Sequence, residues 1–291
     1  MILLRLDFHT QWRSFWASHL NFEPNHLMNK RTFLRSFLAI AAFTAFLSAP
    51  VITRAADATG RQYFELRTYT TKSGEQQKMI SDYWRNAGIP AYGRLGFGPV
   101  GVFTEVTDSP TNHVYVLIPH ESLGSFGLVH DRLAADAAYQ KAAADYLDAI
   151  KANVAYVRFE SSLSLAFEGM KTLEVPVAPA EGQSRIFELR IYESPSEGKG
   201  DNKVKMFNSG EIPLMKDVGL APIFFGQAIT GEHMPNLIYM LSGENDEAHK
   251  KHWKGFFDAP MWKKLSGDPQ FKDNVTKVIS IFLKRVPGSQ I

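Results

Sequence analysis

An internal repeat of about 120 residues is the feature that most constrains the fold of this 291-residue chain. Residues 64–69, with the sequence FELRTY, return as FELRIY at residues 187–192, an offset of 123. The same offset relates Ile89-Pro90 to Ile212-Pro213, Gly96 to Gly219, Pro99 to Pro222 and Tyr139 to Trp262, whereas Tyr115 matches Tyr239 at 124. A nearly constant offset across a whole module indicates duplication and fusion, and two copies are too few for a solenoid. We therefore expect the copies to pack as a pseudo-dimer.

Each copy shows the same predicted order of elements. Alternating apolar and polar residues predict a first strand at 63–70 and at 186–193. A helix follows, then two strands joined by a turn, a long helical region, and a last strand at 154–160 and at 278–284. This β-α-β-β-α-β order is typical of a ferredoxin-like α+β unit. We expect the first repeat at 59–160, a Ser-, Pro- and Ala-rich linker at 161–184, and the second repeat at 185–291.

The first 58 residues are predicted to be a targeting segment and not part of the fold. A basic stretch around Lys30 and Arg31 precedes an apolar run at 37–52, and small residues follow at 53–58. This is the three-part pattern of a secretory signal, and the run is shorter than the roughly 20 residues of a membrane span. We expect translation to start at Met28 and the signal to occupy 28–55 or 28–58. Both the twin-arginine-like and the general secretory routes stay open, and the protein is expected to be periplasmic or secreted; an uncleaved membrane anchor is the alternative.

Composition excludes several classes of function. Hydrophobic residues make up 45% and charged residues 21% of the chain, as in globular proteins. The net charge of +2 does not favour a nucleic-acid partner, and no membrane span is predicted in the mature chain. The chain has no cysteine, which removes disulfides, thiolate catalysis and Cys-ligated metals. A small-molecule ligand remains the favoured partner, and the internal pseudo-dimer leaves room for a further homo-oligomer.

The tandem module resembles the NIPSNAP family. The resemblance rests on the strand FELRxY, the Ile-Pro after the first helix, the Gly and Pro before the next strand, and the Tyr-bearing third strand. It covers about 61–160 and 185–285. It implies a dimeric α+β barrel, in which two ferredoxin-like sheets close on each other. The family has no agreed enzymatic activity, so the resemblance implies no catalytic residue.

The first strand of each copy supplies the candidate ligand-binding residues. Its polar face carries Glu65, Arg67 and Tyr69 in the first copy, and Glu188, Arg190 and Tyr192 in the second. We expect the helices to cover the apolar face, so that this polar face looks into the barrel. There it would either line a small-molecule cleft or form a structural ion pair across the pseudo-dimer.

Histidines give two weaker candidates. His249 and His252 lie three residues apart on a predicted helix, a spacing that suits a metal site, although the surrounding charges favour a solvated helix. No metal site is therefore predicted. His130 is a candidate axial ligand for haem by analogy with related barrels, but no cofactor is predicted from the residues themselves.

Three functions remain open at this stage. The first is an exported, non-catalytic module that binds a small molecule or serves as a scaffold. The second is an oxygenase-like or haem-handling enzyme that uses the barrel cleft, and the third is a metalloenzyme built on the two histidines. No phosphate-binding loop, nucleophile elbow or zinc-protease motif is present in the sequence. The sequence favours the first, non-catalytic function.

Overall fold

A computed structural model describes residues 59–106, 113–177 and 185–291, and these belong to one unit of the chain. The predicted targeting segment, including Met28, lies outside the described residues. None of the described helices combines the length and the apolar character that a membrane crossing requires.

The first repeat has the predicted β-α-β-β-α-β order. Its strands are β1 Tyr63–Thr70, β2 Gly101–Glu105, β3 His113–His120 and β4 Arg158–Ala166. Its α-helices are α1 Gly74–Tyr83, α2 Ile89–Arg94, α3 Leu123–Ala135, α4 Ala137–Ala142 and α5 Ala144–Leu147. A 3-10 turn at Lys151–Asn153 precedes β4. Strand β4 ends six residues beyond the predicted boundary at 160, so the start of the predicted linker 161–184 is in fact strand.

The second repeat follows the same order. Its strands are β5 Ile186–Glu193, β6 Pro222–Thr230, β7 Asn236–Gly243 and β8 Lys277–Arg285. Its α-helices are α6 Glu197–Met206, α7 Ile212–Asp217, α8 Asp246–Asp258 and α9 Pro260–Gly267, and a 3-10 turn lies at Pro269–Phe271. The duplication read from the sequence is therefore present in the fold.

A π-helical turn joins the first two helices of each repeat, at Trp84–Gly88 and at Phe207–Glu211. The Ile-Pro pair stands directly after it. Proline has no N–H to donate to the carbonyl one turn earlier, and its ring crowds that carbonyl. The wider turn accommodates proline, so that the helix changes direction but continues.

The eight strands form one closed barrel in the order β1-β3-β2-β8-β5-β7-β6-β4. Within each repeat the sheet has the order fourth, first, third, second strand, and all pairs are antiparallel. The two sheets join where β2 pairs with β8 and where β4 pairs with β6. Every strand thus has a neighbour on both sides, as the predicted dimeric α+β barrel requires. After β8, residues 286–291 run along β2, where the Val102 N–H donates to Oγ of Ser289 at 2.8 Å.

The face of the first strand that looks into the barrel is the apolar one, opposite to the prediction. Phe64 and Leu66 pack with Phe187 and Leu189 in a core that both repeats share. Tyr69, in contrast, packs with the helices of the first repeat. The interior of an eight-stranded barrel is filled by side chains and offers charges neither water nor donors. The helical layer supplies hydrogen-bonding partners, such as Tyr92 for Arg67 and Trp253 for Glu188, and the polar residues lie beneath it.

Candidate functional site

The polar face of β1 forms a buried cluster around Glu65, here named the Glu65 cluster. Nε of Arg67 donates to Oε1 of Glu65 at 2.6 Å, and Oγ of Ser161 on β4 donates to the same oxygen at 2.8 Å. Nε2 of His120 lies 3.3 Å from Oε2 of Glu65. The guanidinium also donates to the hydroxyl of Tyr92 on α2 at 2.6 Å. The cluster therefore ties the sheet to the helix that covers it.

The second repeat has an equivalent cluster around Glu188, here named the Glu188 cluster. Its carboxylate accepts from Arg190, from Oγ of Ser280 at 2.6 Å and from Nε1 of Trp253 at 2.8 Å. Nε2 of His249 lies 2.8 Å from the same carboxylate. Each pair of Glu and Arg lies on one strand, two residues apart. Glu and Arg therefore do form ion pairs, but each pair lies within one repeat, and the expectation of an ion pair across the pseudo-dimer is wrong.

These contacts keep both carboxylates ionised. Burial by itself would raise the pKa of Glu65, but the hydrogen bond with His120 and the charge of Arg67 outweigh it and lower the pKa to about 2. Burial also acts to raise the pKa of Glu188, and the hydrogen bond with His249 and the charge of Arg190 lower it to about 2. A buried carboxylate with so many donors is stable as an anion and is a poor proton acceptor near neutral pH.

The imidazole of the two clusters comes from different positions of the repeat. His120 ends β3 opposite Tyr63, whereas Gly243 ends β7 opposite Ile186 at the equivalent place. His249 lies instead on α8. A Cβ on Gly243 would lie 3.0 Å from Cβ of His249, so the glycine leaves the room that this imidazole fills. Both halves thus supply an imidazole to their buried carboxylate, by different routes.

The remaining predicted residues take structural or solvent-exposed positions. The hydroxyl of Tyr192 lies 2.8 Å from that of Tyr239, and Nε of Arg190 donates to it at 3.2 Å. His130 is on the outer face of α3 with its side chain 93% exposed, so it is not placed to hold a haem in a cavity. His249 is engaged by Glu188, and His252 packs against Gly219. Among the described residues no group of three or more His, Asp or Glu side chains could hold a metal ion.

A cleft of about 590 Å³ lies beside the Glu65 cluster, in the first repeat, and is here named the tyrosine cleft. Its walls are α1, the start of the π-helical turn, and the segment from α4 to the loop before β4. Its lining comprises Met79, Asp82, Tyr83, Asn86, Ala142, Ala143, Ala144, Asp145, Tyr146, Asp148, Ala149, Ile150, Asn153 and Ala155. Three of these are carboxylates and none is basic.

Two stacked tyrosines form the rigid wall of the tyrosine cleft. The rings of Tyr83 and Tyr146 are nearly parallel, with centroids 3.7 Å apart. The hydroxyl of Tyr83 lies 2.9 Å from that of Tyr139, which holds the buried ring in place. Burial, together with the neighbouring Tyr139, raises the pKa of Tyr83 far above its ordinary value, so its hydroxyl stays protonated.

The same place in the second repeat is filled. There Met206, Leu265 and Phe271 pack together with Trp262. Leu265 stands at the position of Ala142, and Met206 at that of Tyr83. Nδ2 of Asn202 also donates to the carbonyl of Gln270 at 2.5 Å, which closes α6 onto the following turn. The cleft is therefore a property of one repeat only.

A difference in length contributes to this asymmetry. Ser161 and Ser280 occupy equivalent places on β4 and β8, opposite Arg67 and Arg190, and are 119 residues apart. Since the offset is 123 at Tyr139 and Trp262, the first repeat has four more residues before its last strand. Sequence reasoning missed the cleft because it compared the repeats for what they share. The sequence difference that could have indicated the cleft is the group of alanines around Tyr146 in the first copy.

Comparison with known proteins identifies the first repeat and the fold. The model of the NIPSNAP family matches residues 64–157. A NIPSNAP family protein from Agrobacterium tumefaciens is 12% identical and covers 39% of this chain and 98% of its own, with a TM-score of 0.34. No curated protein matches the chain significantly in sequence.

Two larger solved structures share the whole barrel. A candidate monooxygenase from Lactobacillus acidophilus is 12% identical and covers 77% of this chain and 94% of its own, with a TM-score of 0.51. Another from Fusobacterium nucleatum is 9% identical and covers 78% and 93%, with a TM-score of 0.50. At such identities the likeness concerns the fold alone, which is that of the dimeric α+β barrels. Residues 64–157, which contain the FELRxY strand and the lining of the tyrosine cleft, match the NIPSNAP family model, so the first repeat is similar to a NIPSNAP domain.

Proposed function

We propose that this protein binds a small molecule in the tyrosine cleft and is not an enzyme that uses the buried Glu65 and Glu188 clusters. The observation that carries the proposal is the asymmetry between the repeats. The same scaffold position is open in the first repeat and packed with Leu265 and Phe271 in the second. Because the second repeat packs this place with side chains, an open cleft is not something that the fold requires.

The cleft has the size and chemistry of a ligand site. Small-molecule pockets have volumes of roughly 300–1,000 Å³ and combine apolar walls with a few polar groups. The stacked pair of Tyr83 and Tyr146 offers an aromatic surface, and Asn86 and Asn153 offer amide groups. Asp82 is paired with Lys78 and Arg85, but Asp145 and Asp148 have no basic partner within 4.0 Å among the described residues, which favours a neutral or cationic ligand over an anionic one. A ring-bearing molecule of this kind fits the site best.

The test is to fill the cleft as the second repeat does. Ala142→Leu introduces the residue of the equivalent position, and Ala138→Leu, on an exposed position of the same helix outside the cleft, is the matched control. We would screen a library of aromatic fragments against the wild type by thermal shift, since a bound ligand raises stability by mass action. Fragments that bind should lose at least about tenfold in affinity for Ala142→Leu and none for Ala138→Leu. Equal binding to all three proteins would refute the site.

A second candidate is an oxygenase-like or haem-handling enzyme. The names of the two similar barrels from Lactobacillus acidophilus and Fusobacterium nucleatum support this alternative. The exposed position of His130 does not support it as an axial ligand. The absorbance spectrum of the purified protein separates the candidates, because a Soret band would favour haem and a spectrum without bound chromophore would favour the binding module.

Export is a separate proposal, which rests on the signal-like pattern of residues 28–58. We expect the mature protein to begin between Ala56 and Thr59, in the periplasm or outside the cell. N-terminal sequencing of exported material tests this expectation, and a mature start before Phe37 would contradict it.

A further inference from the structure

A second cleft, of about 480 Å³, lies where the two repeats meet, and it is here named the junction cleft. One wall is the outer face of α1, with Gln77, Lys78, Ser81 and Asp82, continued by Arg85 of the π-helical turn. The other wall is Thr104 near the end of β2 together with Lys284, Arg285, Val286 and Pro287 at the end of β8. Neither repeat has this cleft alone, because β8 belongs to the second repeat and α1 to the first.

The lining of the junction cleft is strongly basic. It contains four cations, Lys78, Arg85, Lys284 and Arg285, and one carboxylate, Asp82. Asp82 accepts from Lys78 at 2.5 Å and from Arg85 at 2.6 Å, which holds those two cations side by side on the helix. Lys284 and Arg285 have no carboxylate within 4.0 Å in the part of the chain that the structure describes. Like charges gathered in a concave site raise the local potential and attract an anion.

The equivalent place between the other ends of the repeats has none of these cations. Thr104 pairs with Lys284 at this junction, and Gln227 pairs with Leu165 at the other. Thr104 therefore corresponds to Gln227, and Lys284 corresponds to Leu165. The counterparts of Lys78, Arg85, Lys284 and Arg285 are Asp201, Asn208, Leu165 and Ala166. There the side-chain amide of Gln227 donates to Asp201 at 2.6 Å. Lys205 stands at the position of Asp82 there, but no basic residue stands at the positions of the four cations. The four cations are therefore a property of this one junction.

We propose that the junction cleft binds a phosphate group of a small molecule. The guanidinium of Arg85 can hold phosphate oxygens with two parallel hydrogen bonds, and the ammonium groups of Lys78 and Lys284 act as point charges. Thr104 adds a hydroxyl group at the same cleft, whereas the hydroxyl of Ser81 donates to the carbonyl of Gln77 at 2.8 Å. The excess of three positive charges suits a diphosphate better than a singly charged anion. The two clefts share Asp82 and no other lining residue, and this proposal does not depend on the function proposed for the tyrosine cleft.

The test measures binding of inorganic pyrophosphate to the full chain by calorimetry at low salt, with inorganic phosphate and citrate as further probes. Lys284→Gln and Arg285→Gln remove exposed cations of the cleft, and Lys251→Gln removes an exposed cation of α8 outside it. Each cleft variant should weaken pyrophosphate binding roughly two- to fivefold, as expected for an exposed charge, and the double variant should weaken it further. Lys251→Gln should bind as the wild type does.

Three results of these measurements would overturn the proposal. They are no saturable binding of pyrophosphate by the wild type, equal weakening in Lys251→Gln, or tighter binding of citrate than of pyrophosphate, which would indicate a carboxylate site. Ala142→Leu, which fills the tyrosine cleft, should leave pyrophosphate binding unchanged. Loss of pyrophosphate binding in that variant would indicate that the anion binds in the tyrosine cleft, and this result would also overturn the proposal.

Discussion

Removing the arginine of the Glu65 cluster is the most informative perturbation of this protein. In Arg67→Ala the carboxylate of Glu65, whose side chain is 4% exposed, loses the guanidinium group, which is always charged. It keeps two donors, Ser161 and His120. The hydroxyl of Tyr92 also loses the guanidinium that donates to it. Breaking a buried ion pair from one side costs about 3–5 kcal/mol, because the remaining charge stays desolvated.

The second repeat provides an internal comparison for this magnitude. In Arg190→Ala the carboxylate of Glu188 keeps three donors, from Ser280, His249 and Trp253. One more hydrogen bond to a charged group contributes about 1.5 kcal/mol or more. We therefore expect Arg190→Ala to destabilise the protein by about 1.5 kcal/mol less than Arg67→Ala does.

An exposed pair of the same spacing serves as control. Arg158 and Glu160 lie two residues apart on β4, at 3.5 Å, with side chains 67% and 32% exposed. Arg158→Ala should cost about 0–1 kcal/mol, because solvent screens the pair. Urea midpoints and slopes for the three variants, measured at one pH, give the free energies of unfolding. If Arg67→Ala is no more destabilising than Arg158→Ala, the Glu65 cluster is solvated and the reasoning fails.

Two further predictions follow from the same structure. Because the pKa values of Glu65 and Glu188 are about 2 in the folded protein, below the ordinary 4.5, both groups stabilise the fold above pH 4.5. This contribution, about 3 kcal/mol for each group, should be lost as the pH falls from 4.5 to 2, and urea midpoints across that range should fall accordingly; a flat profile would contradict the low pKa values. Gly88→Ala should cost about 1–3 kcal/mol, because the new Cβ would lie 2.6 Å from the ring of the fully buried Trp84. Gly93→Ala, with no atom within 4 Å of its Cβ, should be neutral or stabilising in the same thermal melts, and equal effects would refute the packing argument.

The order of elements could be predicted from the sequence because strand alternation and turn residues are local. The sequence could not predict which face of the first strand lies towards the helices. Alternation places Glu65 and Arg67 on one face and Phe64 and Leu66 on the other, but it does not show which face the helices cover. In the structure the apolar residues Phe64 and Leu66 lie in the interior of the closed barrel. The charged set faces the helical layer, where Tyr92 accepts from Arg67 and the side chains of Trp253 and His249 lie against Glu188.

The sequence comparison of the repeats also gave wrong equivalences at positions where the two copies differ. The match of Tyr115 with Tyr239 at offset 124 is wrong, because strand register aligns Tyr239 with Val116. Tyr115 faces the barrel interior and Tyr239 faces the helices. In the same way, no sequence alignment of the repeats relates His120 to His249, although both imidazoles lie against equivalent carboxylates. Only the packing of side chains in three dimensions brings them together.

Fusion of the two modules into one chain has a consequence for how ligands can be counted. A barrel made from two identical chains shows each of its sites twice, and binding at one can alter the other. Here the halves have diverged, so that, in the described part of the chain, the place of the tyrosine cleft is packed in the second repeat and the four cations of the junction cleft have no counterparts at the other junction. A monomeric barrel should therefore bind one molecule per chain at each cleft, with a hyperbolic isotherm. Because the two halves are encoded in one chain, their sequences need not be identical, and a cleft can be open in one half and packed with side chains in the other.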